Sequence, residues 1–289
     1  MKILFAADEH AYSAYALKEV IRLALNTWAD VTLMAVAPGD TPAPSPDHPL
    51  VRALEGYRDL FLKSAEVEGS PYAKKEYRHE WLPVRNGGWE ELLVCRGDKR
   101  DVRVCLRAGN AAQEIVAQAR EEETDLLILG CSQGTDCTWQ GAGGAQVPQK
   151  VVSDADCSVL LVKEEQPINR ILACLDQSYI SQESLEVINQ MATIHEASVE
   201  LIGMSPSGDL KKDVYRRLIE IGDYYEDRQI KVKTQLTDIG DLESLISSEL
   251  KQDLLALWMG RKSLLDRVFP RDWVGRFVSK CQTSVLVLR

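Results

Sequence analysis

The chain opens with five consecutive apolar residues, Ile3 to Ala7, that end at Asp8. A run this short and unbroken suits a strand buried on both faces of a parallel sheet. Ala16, Val20, Leu23 and Ala24 follow at helical spacing. A second apolar run, Val31 to Val36, comes next. Strand, helix and strand in this order predict a right-handed parallel crossover.

The same pattern returns later in the chain. Residues 2–36 align with residues 170–204 at a constant offset and without a gap. Ile3-Leu4 falls on Ile171-Leu172, Asp8 on Asp176, Ser13 on Ser181 and Leu17 on Leu185. Ala24, Ala29, Val31 and Leu33 fall on Ala192, Ala197, Val199 and Leu201. The chain therefore reads as a tandem duplication that has drifted. In the first copy Val102 to Leu106 predicts a strand, Gly109-Asn110 a turn and Ala111 to Arg120 a helix. Asp125 to Gly130 and Ser158 to Val162 predict two further strands. The second copy repeats this with Val232 to Leu236, Gly240-Asp241, Leu242 to Leu250, Leu254 to Gly260 and Ser284 to Leu288. The fold class is α/β: two tandem doubly wound parallel-sheet, Rossmann-like domains.

The polar segment Lys163 to Pro167 reads as the linker, which divides the chain into residues 1–165 and 166–289. The first domain is larger because it carries an insertion at about residues 38–100. It starts with a Pro-rich loop, Pro38 to Pro46, and continues with a helical stretch, Leu50 to Val67. Residues 69–100, with Trp81 and Trp89, show no clear period and read as a solvated insertion, with a surface lid or a partner-binding face as the alternatives.

Charge and composition narrow the function classes. Asp and Glu number 44 against 34 Lys and Arg, a formal net charge of -10. That argues against a phosphate-backbone binder, which needs a cationic face, and no local basic patch is obvious, so no nucleic-acid partner is expected. No apolar run reaches the roughly 20 residues of a membrane helix. The apolar run after Lys2 is too short for a secretory signal, so a cytoplasmic protein is expected. Seven cysteines, odd in number and scattered without a Cys-x-x-Cys, argue against a disulfide framework or a zinc knuckle. Cys105, Cys157 and Cys174 lie in or beside predicted strands, where cysteine acts as a small hydrophobe.

On these residues the chain resembles the universal stress protein family in its tandem two-domain form. In the first copy the marks are the strand ending in Asp8, the turn Gly109-Asn110-Ala111-Ala112, the strand Asp125 to Gly130 and the closing segment Ala155 to Val162. In the second copy they are Asp176, Gly240-Asp241, Trp258-Met259-Gly260 and Thr283 to Leu288. The fold implied is that of the adenine nucleotide alpha-hydrolase-like proteins. The resemblance implies a stress-response role and ATP or another adenine nucleotide at the carboxyl ends of the strands. The family pattern is Gly, two residues, Gly, nine residues, Gly, then Ser or Thr. Glycines let a backbone approach phosphate, and a helix amino end offers free N–H groups.

This chain keeps that pattern in degenerate form. Three residues, not two, separate Gly130 from Gly134, nine more lead to Gly144, and Ala145 stands where a hydroxyl is expected. Counted back from the last strand, Ala145 and Gln146 take the Gly and Ser positions. The implied nucleotide-binding set is Asp8, Val36, Leu129, Gly130, Gly134, Gly144, Ala145 and Gln146. No metal is expected beyond magnesium accompanying a nucleotide. In the second copy Ser263 replaces a glycine, and Arg271-Asp272 lies among Phe269, Pro270 and Trp273, so that copy is read as structural.

No catalytic residues are assigned, because no nucleophile elbow, Walker loop or pyrophosphatase signature is present. A nucleotide-free interaction scaffold is the alternative reading, and a slow ATPase a weaker one. His10, Cys131 and Cys137 form a candidate redox or soft-metal set without ligand spacing. Trp139 either stacks on a base or buries itself in a closed loop. A protein partner is expected, with a further homodimer left open. Strands Val159 to Val162 and Val285 to Leu288 are expected to pair within the chain, making it a built-in dimer.

Overall fold

A computed structural model describes residues 1–39, 47–72, 79–84, 87–93, 102–132, 137–139, 144, 146–163, 168–175, 180–205, 212–241, 244, 253–259, 274–275, 277–278 and 281–289. The predicted helix 242–250 lies almost wholly outside these residues. The first half contains β1 (Lys2–Ala6), α1 (Ala11–Thr27), β2 (Asp30–Ala37), α2 (Pro49–Ser64), β3 (His79–Pro83) and β4 (Trp89–Leu93). It continues with β5 (Val102–Ala108), α3 (Ala111–Glu121), β6 (Leu126–Gly130), α4 (Val147–Asp154) and β7 (Ser158–Val162). The second half contains β8 (Arg170–Leu175), α5 (Gln182–His195), β9 (Ser198–Ser205), α6 (Lys212–Glu226), β10 (Val232–Asp238), β11 (Asp253–Trp258) and β12 (Val285–Leu288).

The strands form one 12-stranded sheet in the order β10-β9-β8-β11-β12-β7-β6-β1-β2-β5-β4-β3. Leaving out the β3–β4 hairpin, each half has the same order counted from the centre. Outside that hairpin the strands within each half run parallel, as the unbroken apolar runs predict. The halves meet where β12 pairs antiparallel with β7, Val285 opposite Leu161, Leu286 opposite Leu160 and Val287 opposite Val159. The expected pairing of the last strands is thus present. Because the seam is antiparallel, the carboxyl ends of the two sets of strands face opposite ways.

Successive strand residues point to opposite faces, so the sheet divides two cores. Ile3, Phe5, Val31 and Leu33 pack with residues of α1, α2, α5 and α6 on one face. Leu4, Ala6, Met34, Leu127 and Leu129 pack with residues of α3 and α4 on the other. The predicted turn before α3 is realised by Gly109 at φ +134 and by Asn110, whose side chain accepts the Gln113 N–H at 3.2 Å. Ser181 caps α5 in the same way, accepting the Ser184 N–H at 3.1 Å.

Two expectations are corrected. Part of residues 69–100 is built into the sheet: β3 and β4 form an antiparallel hairpin, and β4 pairs antiparallel with β5. Trp81 and Trp89 pack against the core. The hairpin covers a sheet edge that β5 would otherwise expose. Arg58 of α2 fastens it by a buried ion pair with Glu91 of β4. The second correction concerns Lys163, read as the start of a polar linker. It is fully buried at the seam. Its main-chain N–H donates to Ser284 Oγ at 3.1 Å, and its ammonium donates to the Cys281 carbonyl. Residues 164–167 lie outside the described residues.

Helices α1 and α5 also meet across the seam, where His195 Nε2 lies 2.8 Å from Glu19 Oε2. Among the described residues no helix is long and apolar enough to cross a membrane. Lys163→Ala removes a charged donor from a buried carbonyl and leaves a cavity. It is expected to cost about 2–3 kcal/mol in urea unfolding, and a loss under about 0.5 kcal/mol would contradict the seam role.

Candidate functional site

The site is set by topology. From β1 the chain crosses over to β2 on one side, while β6 arrives on the other. Such a reversal leaves a crevice outside the carboxyl ends of the central strands, where doubly wound sheets hold ligands. Asp8 lies two residues beyond β1 here, Val36 lies near the end of β2, and Leu129 and Gly130 end β6. The structure brings these four expected residues to one end of the sheet. Val36 and Leu129 are buried in the same apolar cluster, together with Tyr12 and Trp139.

Asp8 is 4% exposed, and its carboxylate is surrounded by the protein's own donors. Oδ1 accepts the His10 main-chain N–H at 3.0 Å and the Ser13 hydroxyl at 2.8 Å. Oδ2 accepts the Tyr12 hydroxyl and lies 3.1 Å from His10 Nδ1. The Asp8 N–H donates to Ser13 Oγ at 3.1 Å. Hydrogen bonding of this kind organises the first turn of α1, whose cap residue His10 makes no side-chain cap bond itself. From the insertion, Tyr57 of α2 donates its hydroxyl to the Asp8 carbonyl at 2.8 Å. Burial, with the Asp8 charge beside it, pushes the Tyr57 hydroxyl well above its ordinary pKa, so it remains a donor. The His10 ring stacks on Tyr12, centroids 5.5 Å apart.

Gly130 lies under α1. A Cβ there would run into the carbonyl of Tyr12, so the absence of a side chain is spent on a close helix approach. Trp139 is buried, and its indole N–H donates to the Gly130 carbonyl at 2.8 Å. Of the two roles open to it, it takes burial. Gly144 adopts φ +99 with open space around it, and Gln146 is exposed at the amino end of α4. Gly134 and Ala145 lie outside the described residues, as do Asp176, Gly260 to Ser263 and residues 269–273 of the second half.

The cysteines need a correction. A disulfide joins Cys131 to Cys137 immediately after β6; the scattered cysteines argued against a disulfide framework, and these two belong to the candidate redox or soft-metal set. Six residues of separation match no ligand or redox motif, so only the local chain reversal brings the sulfurs together. Around the bond, Ser132 N–H donates to the Thr138 carbonyl at 3.2 Å, and Thr138 N–H donates to Ser132 Oγ at 3.0 Å. Gln149 of α4 donates to the Cys137 carbonyl at 3.2 Å. Among the described residues no cluster of His, Cys, Asp or Glu could hold a metal ion. Tyr12, Ser13 and Tyr57 also escaped sequence reasoning. Tyr57 gave no signal, because only the fold carries α2 to the end of β1.

The profile of the Universal stress protein family matches residues 1–163. The match covers more than half of the chain, which belongs to that family. Among solved structures, a putative universal stress protein from Pseudomonas aeruginosa UCBPP-PA14 is 15% identical with a TM-score of 0.60, covering 99% of this chain and 92% of that one. A universal stress protein from Archaeoglobus fulgidus DSM 4304 is 14% identical with a TM-score of 0.57, covering 100% and 96%. The cytoplasmic domain of a prokaryotic cation chloride cotransporter is 11% identical with a TM-score of 0.52, covering 99% and 94%. At these identities the likeness is one of fold. No curated protein matches the chain.

Gly130→Ala forces α1 away from β6 and is expected to cost about 1–3 kcal/mol in chemical denaturation, with an unchanged midpoint as the contrary result. Burial pushes the half-buried Cys157 thiol up to about 11. At pH 8 roughly one such thiol in 1,000 is ionised, against about a quarter for a free cysteine. Native alkylation of Cys157 by iodoacetamide should therefore run roughly 200-fold slower than for a small thiol and accelerate as pH rises toward 11. Peptide mass spectrometry follows both.

Proposed function

We propose that this protein is a cytoplasmic stress-response protein whose first half, bounded near residue 165, takes an adenine nucleotide at the end of β1 and β6. The second half is structural: it completes the sheet and covers β7. The observation that carries the reading is the convergence of Asp8, Val36, Leu129 and Gly130 at the switch point, with the amino end of α4 nearby. In this reading Asp8 faces the base and ribose, Val36 and Leu129 wall the adenine, and Gly144, Gln146 and the first turn of α4 receive phosphate. Gly134 and Ala145 complete the proposed set, and any magnesium arrives with the phosphates. No residue is assigned a step in hydrolysis.

The same residues also hold the site closed. Asp8 accepts hydrogen bonds on both carboxylate oxygens, Gly130 is covered by α1, and Trp139 is buried against Gly130. A nucleotide must displace some of these contacts. Its apparent affinity is then lowered by the fraction of molecules that are open. Those contacts favour one second reading, a scaffold that binds a protein partner and no nucleotide.

Calorimetric titration of ATP and AMP into oxidised and reduced protein tests the first reading. One site per chain is expected. Gln146 is exposed, so Gln146→Asp leaves the fold intact and sets a negative charge against the phosphates, weakening binding about five- to tenfold. No heat with either nucleotide in either state would leave the scaffold reading standing.

A further inference from the structure

The disulfide lies at the ligand end of the first half. Cys131 directly follows Gly130, and its N–H donates to the Val162 carbonyl of β7 at 3.1 Å. Cys137 is bonded through its carbonyl to α4 and lies two residues before Trp139. Both half-cystines are buried, and Cys137 adopts φ +30, a left-handed conformation rare for residues with a side chain. The bond, the Ser132–Thr138 contacts and the indole on Gly130 therefore form one unit beside the proposed nucleotide site. The other described cysteines are poor redox candidates. Burial pushes Cys105 and Cys174 up to about 12 and Cys157 and Cys281 up to about 11, which keeps them as unreactive thiols at neutral pH.

We propose that Cys131–Cys137 is a reversible redox-modification site that takes a dithiol reductant, and that its reduction releases Trp139 from Gly130 and opens the ligand end of the first half. The nucleotide part of this inference rests on the function proposed above; the release of Trp139 does not. In the exchange, a thiolate of the dithiol attacks one sulfur and the Cys131–Cys137 bond breaks. A mixed disulfide forms, and the reductant's second thiolate resolves it. The protein gains two electrons and two protons as two thiols, and the dithiol leaves as its own disulfide. Without the bond, only hydrogen bonds tie Cys137, Thr138 and Trp139 to the end of β6 and to α4. Nothing covalent then holds Cys137 in its left-handed conformation.

Linkage makes the effect reciprocal. If reduction tightens nucleotide binding by a factor, bound nucleotide makes the disulfide easier to reduce by the same factor. A tenfold gain in affinity corresponds to about 30 mV in midpoint potential.

The test uses full-length protein labelled with 5-fluorotryptophan, which gives one fluorine resonance for each of the six tryptophans. Trp139→Phe assigns the resonance of interest. Alkylation of denatured, unreduced protein should leave Cys131 and Cys137 unmodified. On adding dithiothreitol the Trp139 resonance should move, while most of the others stay. Cys131→Ser/Cys137→Ser should show the shifted position without reductant, and ATP should bind about tenfold more tightly to the reduced protein. Alkylation of both cysteines without reductant, or a Trp139 resonance unmoved by reductant once the bond is broken, overturns the proposal. A shifted resonance with no ATP binding in either state supports the redox site and overturns the nucleotide reading alone.

Discussion

The antiparallel pairing of β7 with β12 is the contact on which the rest depends. Every residue of both strands is buried. Apart, each half would expose an apolar edge strand open to pairing with another chain. Joined, the two edges vanish into a sheet whose cores continue from one half to the other. Lys163 and Ser284 secure one end of the seam. At the other, the Arg289 main-chain N–H donates to Ser158 Oγ at 3.3 Å. The seam also sends the two ligand ends to opposite sides, so a nucleotide site in the first half cannot share residues with its counterpart in the second.

At the first-half end of β1 and β6, the residues proposed for nucleotide binding are turned to the protein's own use. Asp8 organises the start of α1, Gly130 admits that helix, and Trp139 seals the apolar space beside them. Each contact is ordinary packing or capping, and together they set a threshold for any ligand. A site of this kind is governed by the stability of its closed form as much as by its affinity for what enters. The disulfide proposed as a redox site changes that stability through the Trp139–Gly130 contact and leaves the contacts of Asp8 in place.

Most of the fold was legible because buried parallel strands write themselves as short unbroken apolar runs. Ile3 to Ala7, Leu126 to Leu129 and Val285 to Leu288 needed no partner to be recognised. The hairpin of β3 and β4 was not legible, since its residues mix charge with tryptophan and pair at an edge. Its register with β5, Trp89 opposite Leu106, is a tertiary fact. Lys163 misled for the related reason that a charged residue after a strand looks like a linker until a carbonyl from the other half is found against it.

Sequence alone determined the repeated α/β pattern, the position of Asp8 after the first strand and the glycines of the following loops, because local periodicity and turn chemistry set these. Tertiary structure decided whether those residues face a ligand or the protein itself. It paired Cys131 with Cys137, brought Tyr57 from the insertion to Asp8 and placed the Trp139 indole on Gly130. Such contacts join groups far apart in the chain or facing one another only after it reverses, and no local pattern of residue types encodes the distance between them.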